Sequence, residues 1–242
     1  LLRTDPLLNV TYVCFNVTKP PFNDVRVRRA FALAFDRKAI SARVFESVSA
    51  PAYNAVPPNC GDYAQAPGLV VDGAKARALL AEAGFPGGQG LPELPLIVMN
   101  DDKNSKVGEA LQSMWQKELG VRVAVERLEQ KTLFQTQQNL NYTIGVLGWT
   151  ADYPDPYTFL EVFRGGNGNN WTGWASARYD ALLDEANGVV QPEKRFALLQ
   201  QAESLLLEEA PLAPIIFVGR AFIVHPAVRN WQSAPLGVHR LQ

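Results

Sequence analysis

Apolar residues recur along this chain in two rhythms, one helical and one strand-like, and the alternation between them outlines the fold. In "FNDVRVRRAFALAFDRKAI", Val27, Ala30, Phe31 and Ala34 fall on one stripe at helical spacing, with Asn23 or Asp24 as the N-cap. "VDGAKARALLAEAGFP" predicts a helix that starts at Asp72, buries Ala76, Leu79, Leu80 and Ala83, and stops at Gly84 with Pro86 just beyond. "NSKVGEALQSMWQKELGV" sets Val107, Ala110, Leu111, Met114 and Leu119 on one face and ends at Gly120. "SARYDALLDEANG" repeats the pattern with Tyr179, Leu182, Leu183 and Ala186. "QPEKRFALLQQAESLLLEEAP" has Pro192 near its first turn and Pro211 as its stop.

Strand-like runs lie between these helices: residues 11–17, 94–100, 121–128, 143–149 and 213–218. The order strand 94–100, helix from Ser105, strand 121–128 is a β–α–β unit and predicts parallel neighbours with a right-handed crossover. The expected class is α/β, a mixed sheet with helices covering both faces. "PGGQGLPELP" is the most flexible-looking connector, and no internal repeat stands out.

Composition narrows the field. The 242 residues are 47% hydrophobic and 19% charged, enough for a core in one or two domains. With 23 basic and 24 acidic residues the formal net charge is −1, and without a basic run neither nucleic acid nor an anionic membrane is an expected partner. No stretch of about 18 uninterrupted apolar residues exists to span a bilayer; the most apolar tract, 210–224, is broken by prolines, a glycine and Arg220 and reads as buried strands. The chain opens without an initiator Met or a signal peptide and reads as mature, excised, or both. Cys14 and Cys60 are compatible either with one disulfide of an exported protein or with two buried thiols. Sequons at Asn9, Asn16, Asn141 and Asn170 carry little weight, since several sit in strand-like runs.

Candidate chemistry is sparse. The two histidines, His225 and His239, stand in the last 18 residues, and no Cys or His pair has zinc-site spacing. "NDDKN" (100–104) lacks the Gly and distal Glu of a calcium loop and reads as a polar turn leading to an N-cap. No Gly-x-Ser-x-Gly occurs, and "GGQG" and "GGNGN" lack a phosphate-binding frame. No metal and no cofactor are expected. What remains is "GWTADYPDPYTFL" (148–160), with Asp152 and Asp155. Asp155, bracketed by Pro154 and Pro156, is expected to cap the helix that Pro156 starts. Asp152 follows an apolar strand ending in Trp149, at the carboxyl end where open α/β sheets place ligands. A carboxylate beside aromatics suits an ammonium.

Several segments then resemble, in order, the signatures of the family 5 extracellular solute-binding proteins, the oligopeptide- and dipeptide-binding components of ABC importers. "YVCFNVTKPPFNDVRVRRAFALAFDRKAI" looks like the family's N-terminal signature, "DGAKARALLAEAGFPGG" like its helix and following turn, "LGWTADYPDPYTFL" like its Trp-x-x-Asp-Tyr segment, and "NNWTGWASARYDALLDEA" like its Asn-rich loop and helix. The matches cover roughly residues 11–220. The resemblance implies a type II periplasmic-binding-protein lobe: residues 11–225 as a C-terminal ligand-binding lobe, 1–10 as a hinge or first-lobe remnant, and 226–242 as a return segment toward the hinge and a missing N-terminal lobe. It further implies a monomeric, non-catalytic protein outside the cytoplasm, either free or lipid-anchored in full-length form, that captures a small peptide or similar cationic solute and delivers it to a membrane permease.

By the same resemblance Asp152 receives the ligand's α-ammonium, the backbone of Gly148 to Thr150 pairs with an extended peptide, and Trp149 lines a side-chain pocket. Tyr153, Asn100 and Ser105 complete the expected ligand-binding set. Ser105 and Val146 fall where some oligopeptide binders carry basic residues for the ligand carboxylate, with Lys103 or Lys106 as possible substitutes. Two other readings use the same residues: a ligand-sensing domain of a regulator, and a hydrolase pairing Asp152 with Asp155 or Asp101.

Overall fold

The computed structural model describes residues 2–225, 227–228 and 234–237. The expected return segment 226–242, with His239, therefore lies largely outside the described residues. The chain runs β1 (Leu2–Phe15), α1 (Val25–Leu33), α2 (Arg37–Val44), β2 (Ala50–Pro51), α3 (Gly73–Glu82), β3 (Leu94–Met99), α4 (Asp102–Leu119), β4 (Val123–Leu128), α5 (Gln130–Gln138), β5 (Ile144–Thr150), α6 (Tyr157–Leu160), α7 (Ala177–Gly188), α8 (Pro192–Glu209) and β6 (Leu212–Ile223). Six strands form one mixed sheet in the order β2-β6-β1-β5-β3-β4. β1 is antiparallel to both β5 and β6, while β3 is parallel to β4 and β5.

Helices cover both faces, as the pattern predicts, because successive side chains of a strand point to opposite sides. Val13 and Phe15 of β1, Leu96 and Val98 of β3, and Ile144 and Val146 of β5 pack with Phe31 of α1, Ile40 of α2, Leu80 of α3 and Leu111 and Trp115 of α4. On the other side Val10, Tyr12 and Cys14 of β1 and Ile97 of β3 meet Leu133 of α5, Phe159 of α6, Tyr179 and Leu183 of α7, and Leu199 and Leu206 of α8.

The helix starts follow the capping grammar. Asp24 accepts from the Arg26 N–H, Asp72 from Lys75, Asp101 from Asn104 and Ser176 from Tyr179. Gly120 ends α4 in the left-handed conformation at φ 70°, which glycine adopts without a Cβ penalty.

Three expectations are corrected. The segment from Val25 to Val44 is two helices, because Asp36 accepts from the Lys38 and Ala39 N–H groups and starts α2 afresh. α5 has no counterpart in the predicted elements: its face contributes one buried leucine, Leu133, beside a buried glutamine, Gln137, so its apolar stripe is too thin to read. β1 starts at Leu2, well before the expected residue 11, and the outer end of β6 is strand as expected but not buried: Leu2 pairs with Ile223 and Asp5 with Arg220. These positions are held by long-range pairing and not by local apolar alternation. Residues 2–10 thus begin the same strand that carries 11–15.

Cys14 and Cys60 are both buried and free, which settles the pair as two thiols. Burial pushes each thiol up to about 12, so neither offers a thiolate near neutral pH. Asn16 is fully buried, its amide donating to the Leu140 and Tyr142 carbonyls, and cannot carry a glycan in this fold. No helix among the described residues is long and apolar enough to cross a membrane.

Candidate functional site

The sheet opens between β3 and β5. β3 stays with β4 as far as Met99↔Leu128 but leaves β5 after Ile97↔Gly145. Beyond that point β5 continues to Thr150 with β1 on one side, and no described strand lies on the other.

The antiparallel register tells which groups are left over. Ala151 N–H donates to the Leu8 carbonyl at 2.8 Å and Asn16 N–H to the Thr143 carbonyl at 3.1 Å, which fixes the phase of the ladder between them. Hydrogen-bonded pairs alternate along an antiparallel ladder, so Gly145, Leu147 and Trp149 bond to β1. The N–H and C=O groups of Gly148 and Thr150 point the other way, into the opening. Both residues are solvent-exposed.

A pocket of about 550 Å³ lies against this edge, within the usual range for small-ligand sites. Trp149 and Leu147 of β5, Met99 at the end of β3, Asn104 in the first turn of α4, Leu133 and Phe134 of α5, and Trp171 of the Asn-rich loop contribute to its lining. α5 can stand this close to β5 because Gly145 has no side chain: a Cβ there would collide with the Gln137 amide, which donates instead to Cys14 Sγ at 3.4 Å. The loop is braced by Asn170, whose amide donates to the Phe163, Arg164 and Trp174 carbonyls. Tyr142 Oη donates to the Trp171 carbonyl at 2.7 Å, and the Trp171 ring tilts against Phe134 at 5.5 Å. Trp149 Nε1 is buried and finds no acceptor among the described residues, an unmet donor of the kind that functional sites carry.

Just past the strand the two acids separate. Asp155 accepts from the Tyr157 N–H at 2.8 Å in the first turn of α6 and pairs through both oxygens with the Arg195 guanidinium of α8, each contact 2.8 Å. It is thereby committed to structure, and Asp155 is removed from any acid pair. Asp152 has its backbone tied down, with its N–H donating to Thr158 Oγ1 at 3.3 Å. Its exposed carboxylate accepts no hydrogen bond and makes no ion pair among the described residues.

Tyr153 is 40% exposed and donates to Glu161 Oε1 at 2.9 Å; desolvation and that bond raise its pKa. Asn100 donates to Glu129 Oε1 at 3.1 Å, and Ser105 Oγ accepts from Arg127 Nε at 3.0 Å. Neither lines the pocket, whereas Asn104 does, held by Asp101 Oδ2 at 2.7 Å. Phe134, Leu133, Asn104 and Trp171 were not singled out by the sequence. The Asn-Asn-Trp run before Thr172 was the one available signal for Trp171. Among the described residues no group of three or more His, Cys, Asp or Glu side chains is placed to hold a metal ion.

Comparison with known proteins gives this geometry a lineage. The family described as bacterial extracellular solute-binding proteins, family 5 Middle, matches residues 2–171. The chain is similar to the oligopeptide-binding protein OppA of Bacillus subtilis, at 34% identity over 89% of this chain and 41% of that protein. It is 36% identical to the probable deoxycholate-binding periplasmic protein YgiS of Escherichia coli, over 94% of this chain and 43% of that protein. Among solved structures, the Escherichia coli murein tripeptide binding protein MppA superposes with a TM-score of 0.88 at 29% identity, covering 97% of this chain and 47% of that one. The chain thus spans less than half the length of these relatives. With the matched segment exceeding two thirds of its residues and the fold shared throughout, the chain belongs to the bacterial extracellular solute-binding proteins of family 5.

Proposed function

We propose that this chain is the ligand-binding lobe of an importer's solute-binding protein and that it captures small peptides, or solutes with a similar cationic head. The observation that carries the reading is the unpaired edge of β5 at Gly148 and Thr150, opening onto a pocket and followed by the unpartnered carboxylate of Asp152. An extended peptide laid along that edge gains main-chain hydrogen bonds without its side chains being read. The free edge from Val146 to Thr150 accommodates about four residues at ~3.3 Å each. Asp152 receives the terminal ammonium through a charge-assisted bond, and Trp149 walls the neighbouring side-chain pocket.

In this reading the lobe works outside the cytoplasm as a monomer, closes on the solute with a second lobe of a longer polypeptide, and presents it to a membrane permease. Support comes from the relatives, whose names record oligopeptide and murein tripeptide binding and a periplasmic location, and from their greater length. The chain is not catalytic in this reading: Asp155 is engaged by Arg195, both thiols are buried, and Asp152 has no acid–base partner among the described residues.

Calorimetric titration of the full-length protein with a peptide mixture tests it. Asp152→Ala is expected to weaken binding at least tenfold, about 1.4 kcal/mol. Unchanged affinity in a folded variant removes Asp152 from the site.

A further inference from the structure

The pocket beside the β5 edge has a chemical bias of its own. Its aromatic walls are Trp149, Phe134 and Trp171, with Met99 and Leu133 completing the apolar surface. Its polar side chains are neutral: the amides of Asn9, Asn104, Gln130 and Asn169 and the hydroxyls of Thr11, Tyr12 and Thr150. Among the described residues no Asp, Glu, Lys, Arg or His lines it. Of the acids that flank it in sequence, Glu129 is engaged by the Asn100 amide at 3.1 Å and Asp101 by the N–H and amide of Asn104 at 2.9 and 2.7 Å, while Asp152, past the strand end and outside the lining, is assigned above to the terminal ammonium.

We propose that this pocket selects an uncharged, preferentially aromatic side chain of the bound solute and rejects charged ones. The inference rests on the solute-binding reading above and adds the class of side chain that one position must carry. An aromatic ring entering here meets other rings at the offset and edge-on geometries that such pairs favour, of the kind already made by Phe134 and Trp171 at 5.5 Å and 54°. An ammonium or carboxylate entering the same space gives up water and finds amides but no counter-charge. Strand pairing itself is indifferent to side chains, so the discrimination is confined to the position that faces the pocket.

Gln130 offers a way to reverse the bias. It is the first residue of α5, exposed, and its side chain makes no hydrogen bond among the described residues. A carboxylate in the first turn of a helix is compatible with the helix dipole, so Gln130→Glu is expected to fold normally while placing one negative charge on the pocket.

The experiment measures affinities of the full-length protein for alanine tripeptides in which each position in turn carries Phe, Leu, Lys or Glu. At one position Lys and Glu are expected to bind at least tenfold more weakly than Phe. Gln130→Glu is expected to recover binding of the Lys peptide at that position by at least threefold and not that of the Glu peptide. If the peptides bind but every position tolerates charge within threefold, the pocket inference is overturned and the solute-binding reading stands. The inference also fails if the Lys penalty is unmoved by Gln130→Glu in a folded variant. If no tripeptide binds, the peptide-binding reading falls and takes the inference with it.

Discussion

Glu203→Ala is expected to cost about 3–4 kcal/mol of folding stability, read as a lower urea midpoint with an unchanged slope. Glu203 is fully buried on α8 and reaches back across the second core. It accepts from the Val56 N–H at 2.8 Å, the Tyr63 hydroxyl at 2.8 Å and the Ala66 N–H at 3.2 Å. No cation shares the site in these contacts; the carboxylate is held by three donors of the segment after β2. Truncation strands all three inside the protein, each losing its partner and gaining no water. Glu203→Gln keeps the volume but presents an NH₂ where an acceptor is needed, so about 2 kcal/mol is expected.

The same residue gives the stability a pH dependence. Burial raises the Glu203 pKa above its ordinary value, against the opposing effect of its donors. The folded state therefore holds the proton more tightly than the unfolded chain does. This contribution to stability is fully present below the unfolded carboxylate's pKa and is lost as pH rises through the folded value. Glu203→Gln removes that slope. An Ala variant within 1 kcal/mol of the parent contradicts the account of this clamp.

Arg37→Ala is expected to destabilise by about 3–5 kcal/mol in the same assay. The Arg37 side chain is fully buried, and its guanidinium donates to the carbonyls of Pro214 at 2.7 Å, Ala32 at 3.1 Å and Phe35 at 3.5 Å. It also sits over the Phe35 ring at 4.1 Å. One planar cation thus ties the break between α1 and α2 to β6. Burial pushes its pKa down to about 9, because the charge gives up its water. Removing the side chain abandons three carbonyls and a ring-sized volume. Arg37→Lys keeps the charge yet cannot span the same acceptors from a single ammonium, so it is expected to recover less than half of the loss. Full recovery by Lys would show that charge alone, and not the fork of donors, holds this junction.

The long amphipathic helices were legible because each carries its own punctuation. Asp72, Gly84 and Gly120 mark ends whose geometry depends on a few adjacent residues. The parallel arrangement of β3 and β4 followed from the helix between them. The outer half of β1 was not legible, since Leu2–Pro6 finds its partner more than 200 residues away and has no alternation to announce it. α5 was hidden for a related reason: Leu133 and Phe134 are embedded among glutamines, and Gln137 belongs in the core only because Gly145 leaves room for its amide.

The site divides along the same line. Trp149, Asp152 and the strand before them form one contiguous motif, which the resemblance reached. The opposite wall is assembled from three separate segments, Asn104, Phe134 and Trp171, brought together by folding. Asn104, and not Asn100 or Ser105, lines the pocket because Asp101 caps α4 and fixes which side of its first turn faces β5. The separation of the two acids was anticipated from the prolines around Asp155. The second half of that assignment, Arg195, lies 40 residues on and could not be.

The central claim is that a solute is bound as an added strand on β5, and amide hydrogen exchange read residue by residue tests it most directly. In the free protein the Trp149 and Leu147 amides, bonded to β1, are expected to be protected, and those of Gly148 and Thr150 to exchange freely. A saturating uncharged tripeptide is expected to slow exchange at Gly148 and Thr150 at least tenfold and to change Trp149 and Leu147 little. Saturable binding that leaves Gly148 and Thr150 exchanging as before contradicts the claim.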